Sequence, residues 1–355
     1  MSRVWTDCGA NPASQHAAGR KARRVLEEAR EGIGELLGAK TGGMDADQVV
    51  FTSGGTEANN LALFGLSETV AISAIDHPSV TAAAEELRRT GQNVAVLPVD
   101  EQGIVRLHGL DAGGQGLVSV MLANNETGVI QPVGEIASIW SGHGKVFHTD
   151  AVQAVGKIPV NFRELGVDAM TVAPHKFHGP LGIGALVLRH EMKIRPRLFG
   201  GFQQAAARPG TESVALAAGF HASLRIAISE LSDRAARMQT LRDEFEQQLV
   251  GDLQPLVIIG QSSPRLPNTS CISFPGLDRQ ALVMALDLSG VACSTGSACA
   301  SGSSEPSPTL VAMGLAQDVI DGAIRFSLSA FTTAAEMAEA SRRIIKTVKH
   351  LRAGK

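Results

Sequence analysis

The sequence predicts an α/β fold, with a mainly parallel seven-stranded sheet sandwiched by helices and a smaller C-terminal α+β domain. The first observation is a set of short, nearly continuous apolar runs, most of them separated by helical or loop residues. Such runs are typical of strands that are buried on both faces of a parallel sheet. The runs are QVVF (48–51), TVAIS (69–73), NVAVL (93–97), LVSVML (117–122), KVFH (145–148), DAMTVA (168–173) and GALVL (184–188).

Helical periodicity and a shift in composition are the other two observations. Apolar residues recur at helical spacing from Gln15 to Leu37, and Gly38 follows as a predicted C-cap. From Glu212 to Leu249 a long or broken helix changes from Ala, Leu and Ile to Arg, Glu and Gln, which suits an interdomain connection. Because 355 residues exceed the size at which one core keeps growing, two domains are expected. We predict a large domain over 11–232 and a small domain over 233–355.

The small domain is predicted from the elements that follow residue 249. The runs LVIIG, TSCISF and AIRFSLS predict strands, and helices are expected over Asp278–Leu288 and Thr333–His350. In AIRFSLS the side chains of Ile324 and Phe326 alternate with that of Arg325, so this strand has one apolar and one polar face.

Composition excludes several classes of function. The formal net charge is -3, the isoelectric point is near 6.4, and Lys and Arg are scattered, which argues against nucleic acid or an anionic membrane as a partner. No apolar run reaches the length of a signal peptide or a membrane span, so a cytoplasmic enzyme is expected. Four cysteines without a C-x-x-C pair argue against a disulfide framework and against a metal site.

The first strand leads into a candidate phosphate site. QVVF is followed by TSGGTEANN, in which Gly54 and Gly55 form a turn and Thr56 opens a helix. Backbone N–H groups and the helix dipole favour an anion at such a helix start, and the Thr56 hydroxyl adds a donor. The alternative is an ordinary capped helix after a glycine turn. The segment matches neither the dinucleotide-binding nor the P-loop pattern.

Two other strand ends carry a carboxylate and an amine. Asp150 ends the run KVFHTD, and Lys176 follows DAMTVA within APHKFHGP. Alone, Asp150 reads as a helix cap and Lys176 as a snorkelling lysine, although enclosure between two strands would lower the pKa of the lysine and make it a nucleophile. Together with a phosphate cradle they are what pyridoxal 5'-phosphate requires: an anion site, an acid for the ring nitrogen and an amine for the aldehyde.

Three further polar residues lie in a predicted strand or just after one. His77, in IDHPSV, is placed to stack on a planar ring or simply to precede a helix. Asn125, in NNETG, is placed to bind an oxygen or to form a turn. Arg325 is either a bidentate clamp for a carboxylate or an exposed strand arginine.

Cys299 lies in the segment STGSACASGSS, which has no large apolar side chain. A structural cysteine needs packed neighbours and a disulfide needs a partner, whereas a reactive cysteine needs an accessible thiolate. A mobile Ser/Gly loop suits a thiol that must reach a cofactor and then an outside acceptor. An incidental cysteine in a disordered loop is the alternative.

Taken in order, nine segments of the chain resemble those of cysteine desulfurases, the NifS/IscS-like branch of the class V aminotransferases and thus of the fold-type I pyridoxal phosphate enzymes. They are GANPASQHAAGRKA, FTSGGTEANN, IDHPSV, NNETGVIQPV, TDAVQAVGKIPV, APHKFHGPLGIGAL, RPGTES, STGSACASGSSEPS and AIRFSLSAFTT. The resemblance covers nearly the whole chain. It implies that residues 11–232 bind the cofactor and that residues 233–355 carry the cysteine loop.

The resemblance also implies a role for each matching residue. Lys176 would bind the cofactor aldehyde covalently, Asp150 would contact the ring nitrogen, Gln153 would bind the ring hydroxyl and His77 would stack on the ring and assist proton transfers. The implied phosphate ligands are Gly55, Thr56, His175 and, from the second subunit of a homodimer, Thr211. The implied substrate ligands are Asn125 and Arg325, and the implied nucleophile is Cys299.

The implied reaction converts L-cysteine to L-alanine and leaves a persulfide on Cys299. A sulfur-acceptor protein would then take the sulfur, for iron–sulfur clusters or thio-cofactors. A selenocysteine lyase or another fold-type I lyase would share Lys176 and Asp150 and is one alternative. The other is an inactive paralogue that serves as a sulfur-transfer scaffold, because the usual D-x-x-A-T-T-like segment has no match before Ala10.

Overall fold

The computed structural model describes residues 1–106, 116–141, 145–296 and 305–354. It divides into two compact units. Unit 1 comprises Met1–Leu97, Leu107–Leu122 and Pro132–Leu231. Unit 2 comprises Pro98–Arg106, Ala123–Gln131 and Ser232–Lys355. The domain limits read from the sequence, 11–232 and 233–355, remain a prediction about the functional domains.

Unit 1 is built on a seven-stranded sheet with the order β1-β7-β6-β5-β4-β2-β3. Parallel pairing joins the five neighbouring strands β6, β5, β4, β2 and β3. Strand β7 pairs antiparallel with both β6 and β1. The predicted α/β class and the mainly parallel sheet are confirmed. The strands are β1 (Gln48–Thr52), β2 (Val70–Ser73), β3 (Val94–Leu97), β4 (Leu117–Ser119), β5 (Val146–Asp150), β6 (Ala169–Val172) and β7 (Gly184–Leu188).

Helices and two 3₁₀ turns complete unit 1. The predicted helix at 15–37 is α2, whose buried face carries Ala22, Leu26, Ala29 and Ile33 at helical spacing. Gly38 follows it with a left-handed φ of 74°, as a C-terminal glycine does. The helices are α1 (Ser2–Asp7), α2 (Ala17–Leu36), α3 (Gly55–Leu66), α4 (Pro78–Arg89), α5 (Val133–Ser141) and α6 (Val214–Ser229), and the 3₁₀ turns are Pro174–Phe177 and Gln203–Ala206.

Unit 2 packs helices on a three-stranded antiparallel sheet with the order β10-β9-β8. Its core includes Phe245, Phe274, Phe326 and Ile344, all buried. The predicted helices at 278–288 and 333–350 are present, and the second begins with a capping box between Thr333 and Glu336. The elements are α7 (Leu231–Asp252), β8 (Val257–Ile258), β9 (Thr269–Ser273), α8 (Arg279–Leu288), α9 (Pro308–Ala312), α10 (Gln317–Asp321), β10 (Ala323–Ser327) and α11 (Ala334–Ala353).

The long helical stretch predicted from Glu212 to Leu249 is broken, because Glu230 separates α6 from α7. Among the residues that the structure describes, no single helix is long and apolar enough to cross a membrane. Within the same described ranges, α6 and α7 taken together, as a bent pair, reach the required length and composition.

Candidate active site

Asp150 is the last residue of β5 and lies at the carboxyl edge of the sheet in unit 1. Its side chain is buried, with 6% of the residue exposed. Oδ1 accepts the Val152 backbone N–H at 2.9 Å, and Oδ2 accepts the Asn59 amide at 2.6 Å. Burial raises the pKa of Asp150, and those two donors with the charges of His77 and Lys176 oppose the rise. The carboxylate therefore lies in a dry position, close to two basic groups.

Lys176 lies in the 3₁₀ turn that connects β6 to β7. Its charge acts on Asp150, on His77 and on His175, so the structure brings these four residues into one electrostatic cluster. The predicted enclosure of the lysine between the two strands is wrong: Lys176 is exposed, because it belongs to the turn beyond the strand ends.

His77 caps the N-terminus of α4 and is half-buried. Its Nδ1 accepts the backbone N–H of Ser79 at 3.1 Å and lies 2.8 Å from the Ser79 hydroxyl. Burial lowers the pKa of His77, the charge of Lys176 lowers it further, and Asp150 opposes the shift. The helix-preceding role that the sequence left open is thus present, and it leaves Nε2 for other contacts.

The backbone that precedes His77 is fixed by a buried carboxylate. Asp76 accepts the N–H groups of Ser73, at the end of β2, and of Met121, just after β4, both at 2.8 Å. Burial raises the pKa of Asp76 to about 8, against the effect of these two donors. Asp76 therefore ties two neighbouring strand ends together directly beside His77.

The N-terminus of α3 meets the same strand ends. Gly55 is its first residue, and a Cβ placed there would lie 3.1 Å from Val152 Cγ2 and 3.8 Å from Ala173 Cβ. A Cβ on Gly54 would meet nothing within 4 Å among the described atoms, so the helix start faces open space. Thr56, the second residue of the helix, is exposed. An anion therefore has room at the free N–H groups of this helix.

Gly184, in the strand β7 that pairs with β1, allows the backbone at the start of α3 to approach closely. Gly184 pairs with Thr52, and a Cβ on Gly184 would lie 2.6 Å from the carbonyl carbon and 2.8 Å from the Cα of Gly54. We expect Gly184→Ala to lower the free energy of unfolding by about 1–3 kcal/mol, because backbone atoms must move to admit the methyl group. Urea unfolding measures this change. Gly134→Ala in α5, where a Cβ meets nothing within 4 Å, is the control, and equal stabilities of the two variants would contradict the prediction.

Gln153 and His175 share a basic neighbour, Lys157. The Lys157 ammonium donates to Gln153 Oε1 at 2.9 Å, and Lys157 is only 7% exposed. Because a lysine cannot accept a hydrogen bond, the Gln153 amide must turn its oxygen to Lys157 and keep its nitrogen as a donor. The pKa of His175 is lowered by the loss of surrounding solvent and then by the charges of Lys176 and Lys157.

The predicted substrate ligands meet in unit 2. The Arg325 guanidinium donates to the Asn125 backbone carbonyl at 2.8 Å, and Asn125 is buried. Arg325 lies in β10, and its backbone also pairs with Ser294. The structure therefore brings Asn125 and Arg325 together through a backbone contact, and their role as ligands of the substrate carboxylate stays a prediction.

The cysteine segment is described only at its two ends. Cys299 and its neighbours from 297 to 304 lie outside the described residues. On either side, Gly296 and Ser307 meet at Glu126: the Ser307 hydroxyl donates to Glu126 Oε2 at 2.6 Å, and a Cβ on Gly296 would lie 2.7 Å from the same oxygen. Burial raises the pKa of Glu126, while Ser307 and Arg325 lower it.

Nearly the whole chain matches a known protein family. The family profile described as aminotransferase class-V matches residues 1–339. The chain belongs to the class-V aminotransferase family. A cysteine desulfurase IscS from Dictyoglomus turgidum is 40% identical over 333 residues, which cover 91% of this chain and 83% of the relative. The cysteine desulfurase NifS from Azotobacter vinelandii is 35% identical over 361 residues, 99% of this chain and 89% of that one.

The fold agrees with that of a solved NifS-like protein. The NifS-like protein from Rickettsia africae superposes with a TM-score of 0.88 at 31% identity, over 98% of this chain and 94% of that one. Together with the profile match, this confirms the family resemblance and the fold predicted from the nine segments.

Four residues of this class-V aminotransferase without a predicted role interact with predicted site residues, three through hydrogen bonds and Glu126 through the charge of Arg325. Spacing gives a signal for two of them, because Lys157 follows Gln153 by four residues and Ser79 follows the cap residue His77 by two. Asn59 and Glu126 lie in the segments TEANN and NNETG, each of which contains a predicted site residue. Their hydrogen-bond partners are far away in the sequence, so no local pattern indicates them.

Two other thiols in this chain are poor nucleophiles. Burial raises the pKa of Cys271 to about 12 and that of Cys293 to about 11. Thiolate, not thiol, is the reactive form, so neither cysteine is suited to nucleophilic attack near neutral pH.

Proposed function

We propose that the protein is a pyridoxal phosphate-dependent cysteine desulfurase, which converts L-cysteine to L-alanine and leaves a persulfide on Cys299. The observation that carries the proposal is the cluster at the sheet edge of unit 1. There the buried carboxylate of Asp150 lies in the field of Lys176 and His77. The relatives from Dictyoglomus turgidum and Azotobacter vinelandii are cysteine desulfurases, which supports the same activity here.

The residues of this edge fit the cofactor. The open space before α3, with the N–H of Gly55 and the hydroxyl of Thr56, suits a phosphate group. The buried Asp150 suits a protonated ring nitrogen, since an unpaired carboxylate there would be costly. When bound, pyridoxal phosphate withdraws electrons from the substrate and so makes its C–H and C–S bonds easier to break.

The protein side chains bind and move protons around that group. Lys176 would hold the aldehyde of the cofactor, and its amine, once released, would take the Cα proton of the substrate. Gln153, oriented by Lys157, donates its amide hydrogen to the ring hydroxyl oxygen. His175 and Thr56 bind the phosphate. Asn125 and Arg325 bind the substrate carboxylate, for which the guanidinium supplies paired donors.

The sulfur transfer is balanced without an added redox agent. The Cys299 thiolate attacks the sulfur of the bound cysteine, a new S–S bond forms, and the C–S bond breaks. Its electron pair stays on the former Cβ, which is protonated and leaves as the methyl group of alanine. The overall change is one protein thiol plus L-cysteine to one persulfide plus L-alanine.

The partners belong to the same proposal. The segment that precedes Thr211 exposes two large aromatic side chains. Phe199 is 90% exposed and Phe202 is 93% exposed in the single chain. Such exposure supports a homodimer in which this face is covered and Thr211 contacts the phosphate bound by the other subunit. The persulfide then passes to a sulfur-acceptor protein, in iron–sulfur cluster or thio-cofactor biosynthesis.

A product assay tests the function. Purified protein with pyridoxal phosphate, L-cysteine and a thiol reductant is expected to release alanine and sulfide in equal amounts. L-selenocysteine and L-serine serve as comparison substrates. Turnover of selenocysteine alone would assign a selenocysteine lyase, and no turnover of any substrate would contradict the desulfurase.

A further inference from the structure

Two buried side chains without a predicted role, Asn59 and Ser79, connect Asp150 to His77. Asn59 lies in α3 and Ser79 in α4, and they are 1% and 8% exposed. Asn59 Nδ2 donates to Asp150 Oδ2 at 2.6 Å and to Ser79 Oγ at 2.8 Å. Ser79 Oγ lies 2.8 Å from His77 Nδ1. The four side chains therefore form one continuous hydrogen-bond path.

The orientation of the Asn59 amide is fixed by its charged partner. If the amide were reversed, its oxygen would face the Asp150 carboxylate at 2.6 Å, which is repulsive. With the nitrogen facing Asp150, both amide hydrogens are used, one by Asp150 and one by Ser79. The cost of this orientation is that Asn59 Oδ1, although buried, has no partner within the described part of the chain.

The direction of the hydrogen bond between Ser79 and His77 follows from the number of hydrogens available. The Ser79 oxygen accepts from Asn59, so its single hydroxyl hydrogen is left to donate to His77 Nδ1. The backbone N–H of Ser79 points at the same nitrogen from 3.1 Å. His77 Nδ1 thus receives two donors and has no place for a hydrogen of its own.

We propose that Asn59 and Ser79 are positioning residues that hold the neutral His77 ring in the tautomer with its proton on Nε2. Resting on the proposed function, this makes His77 a hydrogen donor to the bound substrate or cofactor before it can act as a base. Nε2 can take a proton only after its own hydrogen has left, and a neutral ring that carries its hydrogen on Nδ1 instead requires the Ser79 hydroxyl to reverse. The charged groups that act on His77 are Asp150 and Lys176.

Nitrogen NMR tests the tautomer directly. The full chain, labelled with ¹⁵N-histidine, is measured as purified and after addition of pyridoxal phosphate, and His77→Gln assigns the signal among the ten histidines. We expect the neutral His77 ring to carry its proton on Nε2. In Ser79→Ala we expect the pKa of His77 to rise and the Nδ1-protonated form to become populated, because the neutral ring loses a donor to Nδ1. Ser79→Thr keeps the hydroxyl and is expected to restore the wild-type signal.

A matched serine in the same unit is the control. Ser119 Oγ lies 2.9 Å from Nδ1 of the buried His148, so Ser119→Ala should change the His148 signal and leave that of His77 as it was. Asn59→Leu provides a second variant, in which Ser79 is free to turn and the Nδ1-protonated share of His77 should again increase. A His77 ring with its proton on Nδ1 in the wild type, or a titration unchanged by both Ser79→Ala and Asn59→Leu, would overturn the inference.

The result is separable from that of the product assay. An inactive chain with the Nε2-protonated ring would leave the inference standing and refute the desulfurase. An active enzyme with the Nδ1-protonated ring would refute the inference alone.

Discussion

Lys176→Ala is expected to give a colourless protein that releases no alanine from L-cysteine. The amine is the only group we assign to the covalent bond with the cofactor aldehyde and to removal of the Cα proton, so both roles fail together. Loss of a residue with two such roles lowers kcat by on the order of 10⁴-fold or more. The visible absorbance of the protein with added pyridoxal phosphate measures the first effect, and alanine release measures the second.

The control for this variant is an exposed lysine of the same unit. Lys193→Ala should keep both the colour and the activity. Retention of the visible absorbance in Lys176→Ala would contradict the assignment, because another amine would then hold the cofactor.

Cys299→Ala is expected to separate cofactor binding from sulfur transfer. The variant should stay yellow, because unit 1 provides all the side chains that we assign to the ring and to the phosphate within one chain. It should form no persulfide, and alanine release should fall by at least about 10³-fold, since the acceptor of the substrate sulfur is gone. Mass spectrometry of the protein after brief treatment with L-cysteine shows the added sulfur atom directly.

Cys293→Ala is the matched control, because this thiol lies six residues earlier and burial raises its pKa to about 11. Its persulfide yield should equal that of the wild type. Persulfide formed on the Cys299→Ala variant would remove Cys299 from the mechanism.

Much of unit 1 could be predicted because most of its strands are buried on both faces. The predicted strands at 48–51 and 184–188 match β1 and β7 to within one residue. A short apolar run with turns on both sides favours a buried strand over other structures. The sequence does not show that the segments Pro98–Arg106 and Ala123–Gln131 belong to unit 2, because this depends on contacts such as the bridge between Val129 and Arg265.

The sequence indicated the candidate site residues at the strand ends, but it did not indicate the buried side chains that contact them. Asp150 and Lys176 could be found because each follows an apolar run, and the carboxyl ends of parallel strands share one edge. The contact of Asn59 with Asp150 joins residues 91 positions apart, so no local pattern indicates it. The exposure of Lys176 was also missed, because the sequence does not tell the last strand residue from the first turn residue.

The most direct test of the central claim is to locate the cofactor on the chain. Borohydride reduction of the protein with pyridoxal phosphate makes the bond between aldehyde and amine permanent, and peptide mass spectrometry then identifies the modified lysine. The account predicts the added mass on the peptide that contains Lys176. Modification of a different lysine, or no modification of the yellow protein, would contradict it.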